Sequence, residues 1–380
     1  MKTTLSGIFI GTALVVAWLL GLWVLTMLPA EAWLQSRDSN YNKSVSAGAS
    51  YTGPGDVVSG ATAWYGLRAY NAAYATGSNK SINVRRASDN TTQDINILSS
   101  GALDIATANT FAGTDASCTG SMVGTTTLTI SACSSGTLHV SDTLTAAGAT
   151  YPFYITGIGT CASPPGTCTV NAAQTFASEA VTAQVALFVP EVYDQSGIGL
   201  HVTQATAADQ PLLAPVCLNG LPCLIGNGSW WLKSTGNFST HAQPYSLSTV
   251  FRWNGTASSY LMAVDNARPF LSQASSNTID LNCGSDTTIT AASNAAHAFN
   301  GICSGTSTIG NVDGTETTVS AGTSAWAAND ANIMTVADGF APFLGFWFES
   351  GFYSTIGINS TQRGNLCHNQ YTYWGTATSC

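Results

Sequence analysis

The chain has 380 residues and a net charge of −9, and only 8% of its residues are charged, against roughly 25% in an ordinary soluble protein. Its 11 Lys and Arg form no cluster, so the basic footprint of nucleic-acid binding is missing and no nucleic-acid partner is expected. Gly, Ser, Thr, Ala and Asn fill the gap, a mixture that suits short strands and tight turns, on a chain long enough for one large core with a small insert.

Residues 1–33 open the chain with Lys2 and an uncharged stretch from Thr3 to Ala30. Its apolar core, Gly7 to Leu28, covers 22 residues, longer than the roughly 7–15 of a signal peptide and close to the ~20 of a spanning helix. A retained transmembrane anchor with a cytoplasmic N-terminus is therefore the first reading. The small-x-small site Ala30-Glu31-Ala32 keeps open the alternative of a cleaved signal and a secreted product. Either way the remainder is exported, to a periplasmic or cell-surface location. Gly7 and Gly11 form a GxxxG pair that would let another helix approach the anchor closely.

Residues 34–58 are polar and read as a linker. Residues 59–116 and 179–380 read as one all-β sandwich, interrupted by a small all-β module at 117–178. In the sandwich, Ile82, Val84, Ile95 and Ile97 alternate with polar residues at the period of half-buried strands. Phe251-Arg252-Trp253, Tyr260 to Val264 and Phe343 to Phe348 read as core strands. In the module, Met122 to Ser131, Thr137 to Leu144, Phe153 to Ile158 and Thr167 to Val170 read as short strands parted by Gly and Pro turns. The one helix expected beyond the anchor runs from Ser360 to Tyr373, with Ser360 as its cap.

All ten cysteines follow the apolar segment, an even count that points to disulfides in an oxidising compartment. Connectivity does not follow from sequence. The simplest arrangement pairs close neighbours: Cys118 with Cys133, Cys161 with Cys168, Cys217 with Cys223, Cys283 with Cys303, and Cys367 with Cys380.

Trp64-Tyr65-Gly66-Leu67-Arg68-Ala69-Tyr70, Val84-Arg85-Arg86-Ala87-Ser88-Asp89, Val192-Tyr193-Asp194-Gln195-Ser196-Gly197 and Gln204 to Pro211 resemble the concanavalin A-like, laminin G-like sandwich. That pattern occurs in bacterial and phage surface proteins and in the catalytic domain of type B α-L-arabinofuranosidases. The resemblance, covering about residues 59–116 and 179–376, implies a jelly roll of two antiparallel sheets. It does not carry catalysis across, since those enzymes set their nucleophilic Glu beside adjacent cysteines, which are missing here, and no Glu lies between Glu191 and Glu316.

Glycoside hydrolysis needs two carboxyl groups about 5–5.5 Å apart for retention or 6.5–9.5 Å for inversion. The chain has five Glu, at 31, 179, 191, 316 and 349. Glu349, in an apolar strand, could act as a buried acid but reads more simply as structural. Asp194 lies in a turn closed by Gly197, where its carboxylate can accept backbone N–H groups or meet a ligand. The five His show no metal spacing, and no Gly-x-Ser-x-Gly elbow is present. Asp280, Asp286 and Asp313 sit in polar loops that could hold calcium, although no cofactor or metal is expected. Trp230 and Trp231, after Gly228-Ser229, are candidate sugar-stacking residues together with Trp253 and Trp326, although a large sandwich also needs such rings for its core and Trp253 reads more simply as core.

The reading that follows is an exported, membrane-tethered β-sandwich that catalyses nothing and binds or scaffolds a glycan or protein partner. Two alternatives stand beside it: an accessory subunit packed by its helix into a larger membrane complex, and a glycoside hydrolase of arabinofuranosidase type.

Overall fold

A computed structural model describes residues 51–380 apart from 256–258, 265–266, 327, 337–338 and 377–379. The anchor reading at 1–33, with Gly7 and Gly11, lies outside the described residues. No helix among the described residues is long and apolar enough to cross a membrane.

The described chain is mostly β. In order it runs α1 (Pro54–Val57), β1 (Ala63–Gly66), β2 (Lys80–Arg86), β3 (Thr92–Asn96), α2 (Ile105–Ala112), β4 (Thr114–Gly136), β5 (Thr143–Thr145), β6 (Ile155–Gly157) and β7 (Gly166–Gln184). It continues with β8 (Leu187–Val192), β9 (Val202–Thr203), β10 (Leu212–Ala214), β11 (Cys223–Asn227), β12 (Leu232–Asn237), β13 (Tyr245–Trp253), β14 (Ser259–Val264) and β15 (Ala267–Ser275). The last elements are β16 (Thr278–Asn282), β17 (Asp286–Thr290), β18 (Ala296–Cys303), β19 (Thr308–Val312), β20 (Thr315–Val319), β21 (Asp330–Ile333), β22 (Leu344–Tyr353) and α3 (Ser360–Trp374).

Two antiparallel runs form the sandwich. One follows the order β3-β2-β8-β9-β12-β21-β14-β15-β16-β17. The other is β20-β19-β18-β13-β22, with β1 and β11 sharing the far edge of β22. Strand β10 pairs with both β11 and β8, joining the two runs. Period-2 alternation explains the first run. Ile82 opposes Ile95 and Val192, Val192 opposes Val202, and Met262 opposes Ile333 and Leu271. All of these are fully buried, each worth about 1.5–3 kcal/mol of apolar burial. The Phe238 and Phe352 rings meet at 5.4 Å between the two runs. Trp326 packs edge-on against Phe238, Tyr245 and Phe352, and Trp253 stacks near Phe251 at 4.7 Å, so both belong to the core.

Two helix expectations needed correction. Helix α3 ends at Trp374, and its cap is Asn359, whose side chain accepts from Gln362 N while Gln362 reaches back to the Asn359 N–H. That reciprocal pair satisfies two orphan donors, which Ser360 would not have done. Helix α2 had no sequence signal beyond Asp104, which caps it by accepting from Thr107 N. Part of the expected linker is also structured, because Pro54 starts α1 and Pro54 and Gly55 are buried.

Strands β4, β5, β6 and β7 make a separate four-stranded sheet. It has a core of its own that includes Met122, Leu128, Ile130, Leu144, Phe153, Ile155, Val170 and Phe176. The short strands expected here are partly joined into longer ones. Residues 137–142 are not strand, and β4 runs to 136, with residues 114–130 registered against β7. The turn at Gly136 has φ 72°, and a Cβ there would sit 1.7 Å from the Asp115 carbonyl oxygen. Gly136→Ala should therefore melt this sheet at lower temperature, by several degrees in a thermal scan, and an unchanged profile would refute the steric account.

The ten cysteines form five disulfides: 118–133, 161–168, 217–223, 283–303 and 367–380. They suit an oxidising, extracytoplasmic environment.

Candidate functional site

One face of the first run is polar. Asn83 opposes both Asp94 and Glu191, Glu191 opposes Thr203, Thr203 opposes Lys233, and Lys233 opposes Asn332. Directly paired residues share a face, so these side chains stand in one row opposite the buried Ile and Val positions. Tyr193 and His201, at the adjoining ends of β8 and β9, extend the row, and their rings meet edge-on at 5.0 Å.

The row is densest around Asp94. Its carboxylate accepts from Asn83 Nδ2 at 2.8 Å and from the Tyr193 hydroxyl at 2.7 Å, and it pairs with Lys80 Nζ at 2.6 Å. Burial pushes the Asp94 carboxyl up, but the Asn83, Lys80 and Tyr193 contacts outweigh it and hold the group below its ordinary value. Tyr193 is pushed far up by burial and by Asp94 and Glu191, so its hydroxyl stays protonated as a donor. Glu191 lies on the same face, across Asn83 from Asp94, and its charge adds to the rise of the Tyr193 pKa. Sequence reasoning missed Asp94. Its signal was the alternation at Gln93-Asp94-Ile95, but the partner across two strands exists only in the folded register.

The residues singled out from sequence fall elsewhere. The Asp194 carboxylate accepts from the backbone N–H groups of Trp64, Ser196 and Gly199 at 2.9–3.0 Å and from the Ser196 hydroxyl at 2.9 Å, so it is committed to its turn. Trp230 is 9% exposed, donates Nε1 to the Ala208 carbonyl at 3.0 Å and packs edge-on against Phe188. Trp231 is half-buried against Gly339. Contrary to the loop reading, Asp280 lies in β16 and Asp286 opens β17, while Asp313 follows β19; Asp280 accepts from Thr288, Asp286 from Asn282, and Asp313 pairs with His297, so the three serve separate side-chain partners.

Glu349 lies inside β22 with no exposure, so it neither ends the strand at solvent nor faces a cleft. It takes the Arg68 fork at 2.6 and 2.8 Å and a third bond from Gln370 Nε2 at 3.2 Å. That geometry makes it the anchor of a buried ion pair.

His297 is also buried, at 4% exposure. Its Nδ1 faces Asp313 Oδ2 at 2.6 Å and its Nε2 faces the Ala292 carbonyl at 2.7 Å. Both ring nitrogens meet acceptors, which the imidazolium satisfies and neutral imidazole does not. Burial pulls its pKa down, but Asp313 and the Ala292 carbonyl outweigh that and raise it above the ordinary value. A raised folded-state pKa gives stability that is full below about pH 6.5 and is lost as pH rises through the folded value. Melting temperature should thus fall across that alkaline window, and Asp313→Asn should flatten the slope; an equal slope in the variant would refute the assignment.

The fold and this polar face define an all-β sandwich with a carboxylate-bearing sheet surface. Among solved structures, the chain is similar to an arabinofuranosidase complexed with arabinofuranosyl-α-1,2-xylobiose, at TM-score 0.51 and 13% identity over 84% of this chain and 65% of that one. It is similar to a point mutant of a GH54 α-L-arabinofuranosidase soaked with 4-nitrophenyl α-L-arabinofuranoside, at TM-score 0.50 with the same identity and coverage. The chain spans just under two thirds of the length of these enzymes. No family model and no curated protein matches. The likeness is one of fold, and it overturns the expectation of a chain that catalyses nothing: the shared sandwich is that of glycoside hydrolases.

Proposed function

We propose that this chain is an exported glycoside hydrolase of arabinofuranosidase type, built on a concanavalin A-like sandwich and held at the outer face of a membrane by residues 1–33. The observation that carries the reading is the placement of Asp94 and Glu191 on one partly exposed sheet face, on either side of Asn83, with Tyr193 donating to Asp94. Two carboxyl groups on one face suit the retaining pathway, in which one carboxylate is the nucleophile and the other the acid–base group. Asp94, held anionic by Lys80, Asn83 and Tyr193, attacks the anomeric carbon while Glu191 gives its proton to the departing oxygen. The glycosyl ester on Asp94 is then cleaved by a water whose proton returns to Glu191, which restores both groups.

The direct test is release of 4-nitrophenol from 4-nitrophenyl α-L-arabinofuranoside by the full chain, followed by NMR of the first-formed sugar. Release with retained anomeric configuration is expected. No release from that substrate or from arabinose-substituted xylan would overturn the proposal.

A further inference from the structure

At the root of the four-stranded module, three donors from separate stretches converge: Asp115 early in β4, and His139 and Asp142 in the segment that follows it. One oxygen or nitrogen from each lies within 4.8 Å of the others. His139 Nδ1 stands 2.5 Å from Asp115 Oδ2 and 4.0 Å from Asp142 Oδ2. Asp142 is the unusual member. Its side chain is 2% exposed, yet it faces a second carboxylate, and among the described residues the ion pairs of both aspartates are with His139 alone. The backbone N–H of His139 donates to Asp142 Oδ2 at 2.7 Å, which aims the carboxylate at the cluster but brings no charge.

We infer that Asp115, His139 and Asp142 bind a divalent transition-metal ion, of the zinc or manganese kind, that ties the two ends of this segment together. A buried carboxylate beside a like charge is costly unless a proton or a cation neutralises it. One imidazole nitrogen and two carboxylate oxygens are a donor set for zinc or manganese, with water completing the shell, whereas calcium prefers oxygen throughout. The open side is at His139, 63% exposed, which leaves a path for the ion. The inference is independent of the hydrolase reading, since the cluster lies in the module and not on the Asp94 face.

The test is calorimetric titration of chelator-stripped full-length protein with zinc chloride and with manganese chloride, with melting temperature read in parallel. One equivalent should bind and raise the melting temperature. Asp142→Asn removes the charge without changing shape, so it should fold at least as well without metal and lose the metal response; His139→Ala should lose it too. Absence of one-to-one binding by both ions, or a wild-type response in both variants, would overturn the site.

Discussion

Glu349→Gln is expected to lower folding stability by about 3–5 kcal/mol, the usual cost of leaving one member of a buried ion pair uncompensated. Arg68 and Glu349 both have no exposure, and the fork-on-carboxylate geometry uses two charge-assisted bonds. The guanidinium also lies 4.7 Å from the Tyr373 ring centre, which covers it from α3. Around the pair, Gln370 donates to Glu349 and to Ser248 and accepts from Asn300, so one network joins β22, β13, β18 and α3. Removing the Glu349 charge strands the Arg68 cation, whose Nη1 already has no hydrogen-bond partner. A domain of ordinary stability has about 5–15 kcal/mol in reserve, so the variant should unfold at a much lower urea midpoint. Replacing both partners, as Arg68→Met with Glu349→Leu, should recover part of the loss, because no charge is then left buried. A Glu349→Gln midpoint equal to wild type would show that the pair does not hold the sheet. Lost hydrolysis in that variant would report unfolding and not chemistry.

Asp94→Asn and Glu191→Gln should each cut hydrolysis of an arabinofuranoside at least 100-fold, in the range typical of a removed nucleophile or general acid–base group. Stability should barely move. The Lys80–Asp94 pair is half-exposed, and pairs of that kind are worth about 0–1 kcal/mol. Azide should rescue Asp94→Asn with inverted configuration if Asp94 is the nucleophile, by filling the space of the missing carboxylate. Tyr193→Phe should lower the rate less, since it removes a donor to Asp94 but neither carboxylate. Activity that survives both carboxylate variants would dismiss this face as the site, while a wild type inactive on every arabinoside would dismiss the hydrolase reading itself.

Much of the architecture was legible because burial leaves a local trace. Ile82, Val84 and Ile95 announced strands through their alternation, and the unbroken apolar run at Phe343 to Phe348 announced one covered on both sides; both fall in the described sheets. Helix α2 was hidden, since it has only eight residues, five of them Ala or Thr, and carries little period. The site was legible only in its parts. Asp94 and Glu191 are 97 positions apart, and neither sits in a motif; a polar residue in a strand looks the same whether it faces bulk water or a reacting group. Glu349 misled in the opposite sense, because its apolar neighbours imply burial but not the Arg68 fork that burial demands.

Composition, periodicity and cysteine count by themselves determined a disulfide-bearing, all-β chain suited to an oxidising environment, with its core strands near their observed places, because those properties are sums over neighbouring residues. Which acidic groups meet was decided only by tertiary structure. Strand register brings Asp94 to Glu191 and turns Asp142 onto Asp115, and electrostatic coupling falls off over a few ångströms while the chain separation says nothing about that distance.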